Sequence, residues 1–167
     1  LLDGFTIWEK FGDLKGLNVL IVGDIAHSRV ARSNIKLLRL FGARIKVCGP
    51  PTLIPPFVTD LGVQVSYHLD ECLKDAQVVM ALRMQMERQT SFQVPSLKEY
   101  TNLYGITSDR LRHIEKDAII LHPGPVNRGV EFMSSVLRDP RSKVMEQVHN
   151  GSLMRAKLLS EVMGLSS

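Results

Sequence analysis

The sequence predicts an α/β fold, a doubly wound, mainly parallel five-stranded sheet with helices on both faces. Short apolar runs alternate with stretches of helical periodicity, the pattern of repeated βαβ units. The run Asn18 to Val22 is almost continuously apolar, as a strand covered on both faces must be. Breakers such as Gly49-Pro50-Pro51 stand between the runs rather than inside them. With 167 residues and no internal repeat, low-complexity tract or interdomain linker, residues 1–167 are expected to share one core.

The elements follow in order. Leu1-Leu2-Asp3-Gly4 reads as the interior of an amphipathic helical segment, without the Met, basic region or cleavage site of a signal peptide. The chain is therefore expected to be a fragment. After the strand Asn18 to Val22, Ser28 is placed to cap a helix from Arg29 to Phe41. In it Ala31, Ile35, Leu38 and Gly42 form one buried stripe, and Gly42 closes it. Arg44 to Cys48 is a strand, Pro55 to Leu61 a short helix, Val63 to Tyr67 a strand and Leu69 to Lys74 a short helix. Gln77 to Leu82 is the fourth strand. Met84 to Pro95 lacks apolar periodicity and reads as a long loop, a feature usually tied to function. Ser96-Leu97-Lys98-Glu99 has the capping-box form and restarts a helix. Ser108 to Glu115 is a further helix and Ala118 to Leu121 the fifth strand. Asp139-Pro140 is expected to open a helix that stops at Asn150-Gly151, with Ser152 to Met163 as the last. Trp8 and the other aromatics are expected in the core.

Composition excludes several classes. Hydrophobic residues at 44% and charged residues at 23% match ordinary soluble globular chains. No apolar stretch approaches the roughly 20 residues of a membrane span. Cys48 and Cys72 lie far apart without metal-ligand spacing, which argues against zinc or a disulfide framework and for a reduced, cytoplasmic setting. The net charge of +4 suits anionic metabolites. It falls short of a nucleic-acid footprint, since no long basic run is interleaved with aromatics.

Three polar segments follow apolar runs and would emerge at one edge of a parallel sheet, where such sheets bind ligands. They carry Arg29, Arg83 and His122. Arg29 at a helix start is odd, because the helix end already carries partial positive charge unless an anion joins it. Two guanidiniums can each grip a carboxylate bidentately, so the pair suggests a small dianionic substrate. Gln85 could return to the same face as Arg83. Glu87 could hold one of the arginines, with Arg88 pairing elsewhere; a solvated Glu87–Arg88 surface pair is the competing reading. His122-Pro123-Gly124-Pro125 is a rigid turn that can aim backbone carbonyls at ligand N–H groups, with Gly124-Pro125 a candidate cis peptide. Asn127 and Arg128 could add polar contacts, Arg128 equally being a surface residue. Met80, Met84 and Met86 read as packing. A dinucleotide site is disfavoured. Only Gly23 stands where a G-x-G-x-x-G turn belongs, and no acidic residue ends the second strand.

Val22-Gly23-Asp24 with Ser28-Arg29, then Arg83-Met84-Gln85-Met86-Glu87-Arg88, then His122-Pro123-Gly124-Pro125-Val126-Asn127-Arg128, resemble the aspartate carbamoyltransferase family. The similarity runs from Leu2-Asp3-Gly4-Phe5-Thr6-Ile7 to the last helix. The Arg-x-Gln-x-Glu-Arg run and Gly124 favour the aspartate branch over ornithine carbamoyltransferases, which carry a different loop and a His-Cys-Leu-Pro motif. The resemblance implies that residues 1–167 are the aspartate-binding domain of an enzyme of pyrimidine biosynthesis. That enzyme moves the carbamoyl group of carbamoyl phosphate to L-aspartate without metal or organic cofactor. It implies that Arg29 and Arg83, helped by Gln85, bind the aspartate carboxylates, and that the carbonyls of Gly124 and Pro125 orient the reacting groups. Glu87, Arg88, His122 and Arg128 then support the site, and the loop Met84 to Pro95 closes over aspartate.

It further implies a partner domain for carbamoyl phosphate, with a Ser-Thr-Arg-Thr segment and a His-Pro-Thr-Gln motif just before Leu1, and a homotrimer. Neither motif occurs in these 167 residues. The chain alone is therefore expected to bind aspartate weakly and not to turn over, with apolar surface on its first and last helices where the partner domain docks. The competing readings are a non-catalytic dicarboxylate-binding module, an ornithine-type transferase and a nicotinamide-dependent oxidoreductase.

Overall fold

A computed structural model of the chain describes residues 1–84 and 96–164. Five strands, β1 (Asn18–Val22), β2 (Arg44–Cys48), β3 (Gln64–Ser66), β4 (Val78–Ala81) and β5 (Ile119–Leu121), form one sheet in the order β3-β2-β1-β4-β5. All four pairings are parallel, so the expected doubly wound α/β fold is present without an antiparallel strand in this sheet. Among the described residues five α-helices accompany them: α1 (Leu2–Phe11), α2 (Arg29–Leu40), α3 (Leu69–Cys72), α4 (Leu97–Tyr104) and α5 (Val144–Val162).

Alternation along the central strand builds two cores. Val19 and Ile21 pack on one face with Ile7 of α1 and Ala31, Ile35 and Leu38 of α2. Leu20 and Val22 pack on the other with Leu69, Tyr100, Tyr104 and Phe132. Burying Ile35 and Leu38 completely stabilises by about 2 kcal/mol each. Gly42 is not part of that stripe. It is exposed with φ of 78° and, as expected, closes α2, its N–H donating to the Arg39 carbonyl as the chain turns back into β2.

Several local expectations are corrected. The helices expected at 55–61 and 108–115 are present as shorter 3₁₀ helices, Pro56–Leu61 and Arg110–His113. Trp8 is 52% exposed and stacks on Phe5 along α1 instead of entering the core. Asp139-Pro140 does not open a helix. Asp139 accepts hydrogen bonds from the backbone and side chain of Arg141, and the segment then runs beside β5. Ile120 donates to the Arg141 carbonyl and Lys143 donates to the Ile120 carbonyl, which covers the sheet edge and delays α5 to Val144. Nor does the helix break at Asn150-Gly151. Asn150 is buried and donates its amide to Thr6 Oγ1 (3.0 Å) and to Glu9, and Gly151 is buried beside Leu2. The pair is a helix-packing contact between α5 and α1, and α5 continues through it. Among the described residues no helix is long and apolar enough to cross a membrane.

Candidate functional site at the carboxyl edge of the sheet

The chain leaves β1 to build β2 and β3 on one side, then returns to place β4 and β5 on the other. The switch point therefore lies between β1 and β4, whose ends are aligned with Val22 opposite Ala81. Leu82 donates to the Val22 carbonyl at 2.8 Å, so the chains leaving β1 and β4 start side by side. Gly23 has φ of 124°, and a Cβ there would meet Leu82 and the Tyr100 hydroxyl, so the backbone passes too closely for a side chain.

Beyond Gly23, buried Asp24 organises the turn. Its Oδ1 accepts the backbone N–H of His27 at 3.0 Å and lies 2.9 Å from the His27 ring. Ser28 then caps α2, its hydroxyl accepting from the Ala31 N–H at 3.0 Å. Arg29 is the first residue of α2 and is exposed, and the first turn contains no acidic residue to offset it. A cation at the positive end of a helix favours an incoming anion.

On the other side of the switch point, Arg83 is half-buried two residues past β4. His122, one residue past β5, is 1% exposed and its ring packs edge-on against Phe132. Burial, then the nearby Arg83 charge, lowers its imidazole to about 4. The ring is thus neutral at physiological pH, and its Nδ1 accepts the Gly124 N–H at 3.0 Å. Its Nε2 has no hydrogen-bond partner among the described residues. Gly124 and Pro125 are exposed and joined by a cis peptide, as expected. Arg128 is also exposed, on a hairpin-like turn closed by Gly129 donating to Phe132. Met80 and Met84 are buried as packing residues. Gln85, Met86, Glu87, Arg88 and the loop to Pro95 lie outside the described residues.

Sequence reasoning missed the residues that tie these loops together. Glu131 is 1% exposed and accepts from the Met84 N–H, the Asn127 N–H (2.9 Å) and the Asn127 side-chain amide (2.8 Å). Burial raises its carboxyl above the ordinary range, with these donors partly opposing the shift. Its signal in the sequence was a lone acid between Val130 and Phe132. Gln147 and Asn150 were missed too. They form the buried side of α5, while Met145, Val148, Leu153 and Leu159 are exposed, an inversion of the usual amphipathic pattern.

A cavity of about 530 Å³ opens at the opposite, amino edge of the sheet, beside Asn18, Arg44, Lys46 and Gln77. Asp75 and Glu115 line it as well, so its charges offset one another. At the carboxyl edge stand Arg29 and Arg83.

The strand order defines the class, a doubly wound α/β domain, a fold in which ligands generally bind where the sheet order reverses. The particular family follows from comparison. The profile of the family aspartate/ornithine carbamoyltransferase, Asp/Orn binding domain, matches residues 15–162, and the chain belongs to this family. It is 55% identical over 159 residues to the aspartate carbamoyltransferase catalytic subunit of Acetivibrio thermocellus, covering 95% of this chain and 51% of that protein. With the corresponding subunit of Desulfitobacterium hafniense it shares 48% over 164 residues, 98% of this chain and 53% of the other. The fold is similar to aspartate transcarbamoylase from Trypanosoma cruzi solved with carbamoyl phosphate and aspartate (TM-score 0.80, 28% identity, 95% of this chain, 54% of that one). It is also similar to ornithine carbamoyltransferase from Pyrococcus furiosus (TM-score 0.81, 26% identity, 99% and 56%). The chain spans about half the length of the curated relatives it matches.

Proposed function

We propose that residues 1–167 are the aspartate-binding half of a cytoplasmic carbamoyltransferase that moves the carbamoyl group of carbamoyl phosphate to L-aspartate, in pyrimidine biosynthesis. The reading is supported by Arg29, first residue of α2 after β1, and Arg83, two residues past β4, lying on the two chain segments that leave the β1/β4 switch point. Two fork-shaped cations brought to the same edge of the sheet suit the two carboxylates of a four-carbon diacid. They would repel the side-chain ammonium of ornithine, which favours aspartate within the family.

In this reading Arg29 and Arg83, with Gln85, hold the carboxylates, and Glu87, Arg88, His122 and Arg128 support them. The Gly124 and Pro125 carbonyls accept N–H bonds from the aspartate amine and the carbamoyl NH2. The amine attacks the carbamoyl carbon, a tetrahedral intermediate forms, and inorganic phosphate leaves. Holding both reactants in register supplies a large part of the rate. Carbamoyl phosphate is bound by the other half of the protein, in a homotrimer. The test is carbamoyl aspartate formation by the intact protein, compared with ornithine as acceptor. Aspartate is the expected substrate; activity with ornithine alone, or aspartate binding without any transfer, would overturn the assignment.

A further inference from the structure

The turn His122-Pro123-Gly124-Pro125 contains only two backbone N–H groups, because proline has none. Both are consumed inside the protein. The Gly124 N–H donates to His122 Nδ1 at 3.0 Å, and the buried His122 N–H donates to Gln147 Oε1 at 2.8 Å. Gln147 belongs to α5 and is itself 2% exposed. Its Nε2 donates to Asp3 Oδ1 at 2.7 Å, and Asp3 Oδ2 accepts from Asn34 Nδ2 at 2.7 Å. Asp3 is acceptor-only as a carboxylate, so it dictates which end of the Gln147 amide faces it. The oxygen must then face His122. A chain of directed bonds thus runs from α2, which carries Arg29 at its start, through α1 and α5 into the turn.

We infer that Gln147, oriented by Asp3, is a positioning residue that holds the His122–Pro125 turn with its donors turned inward and only carbonyl acceptors available to the crevice. This rests on the carbamoyl-transfer reading, in which those carbonyls aim the attacking amine. Gln147 itself touches no reactant in that scheme and acts through His122. Displacement of the carbonyls costs transfer rate, whereas the arginine clamps stand at the start of α2 and after β4 and keep their grip on the carboxylates.

The experiment is a polarity swap in the intact protein. Gln147→Glu keeps an acceptor for the His122 N–H but sets a carboxylate against Asp3. Adding Asp3→Asn restores every bond, since the amide introduced at position 3 can accept from Asn34 and donate to the carboxylate introduced at position 147. Well below each variant's unfolding midpoint, Gln147→Glu is expected to lower kcat by about 100-fold, with KM for aspartate changed less than about threefold. The swap is expected to recover kcat to within about fivefold of wild type. A folded swap as slow as Gln147→Glu, or a Gln147→Leu variant with wild-type kcat, would overturn the inference. Absence of transfer in the wild-type protein would count against the proposed reaction instead. The hold on the turn is then read by amide exchange at His122, expected slow in wild type and accelerated in Gln147→Leu; rapid exchange in wild type would sink it.

Discussion

Asn127 and Met84, 43 positions apart in the chain, are bonded directly: the Asn127 side-chain amide donates to the Met84 carbonyl at 3.1 Å. Glu131 closes the same contact from below, receiving the Met84 N–H and both N–H groups of Asn127. The segment bearing Arg83 is therefore tied to the stretch from Asn127 to Glu131.

Glu131→Gln tests this clasp. Glutamine has a single acceptor oxygen and would turn an NH2 toward one of the present donors. Leaving a buried donor unsatisfied costs about 1–3 kcal/mol. Denaturant titration should show that loss, and KM for aspartate in the intact protein should rise as Arg83 loses its support. Unchanged stability would mean the carboxylate is dispensable.

Arg83→Ala and Arg29→Ala should each weaken aspartate binding by about 2 kcal/mol or more, roughly thirtyfold, the worth of hydrogen bonds between charged groups. Carbamoyl phosphate binding should be retained in both. Calorimetric titration of the two ligands separates these effects, and equal losses for both ligands would contradict the assigned roles.

Acid should destabilise the domain through His122. Its folded value is about 4 and an unfolded histidine titrates near 6.5, so between those limits the unfolded chain binds the extra proton. The stabilisation is complete above about pH 6.5 and is lost as pH falls toward about 4, up to about 3 kcal/mol. His122→Asn retains an acceptor for Gly124 and removes the titration. The pH dependence of the unfolding midpoint should be shallower in that variant across this window; parallel curves would refute the account.

Arg141→Lys should destabilise although charge is kept. The guanidinium donates to both Asp139 oxygens and to the Leu111, Ile114 and Glu115 carbonyls. A lysine cannot span that fork, and the loss should be about 2 kcal/mol. Thermal unfolding measures it, and a change below about 0.5 kcal/mol would show that the fork is redundant.

The layers, and the sheet edge that carries Arg29, Arg83 and His122, were legible in the order of residues alone. Apolar runs such as Asn18–Val22 and the Ala31-Ile35-Leu38 spacing are local signals, and strand and helix geometry convert them directly into buried faces. Parallel connection then sends Arg29, Arg83 and His122 to one edge of the sheet. The polar interior was settled by packing instead. Asp3 and Gln147 meet across 144 positions, Glu131 reaches Met84 across 47, and Asn150-Gly151 becomes a helix contact rather than a stop. No short-range pattern encodes such pairings, because a buried amide or carboxylate is defined by the partner that satisfies it, and that partner arrives only when distant helices pack.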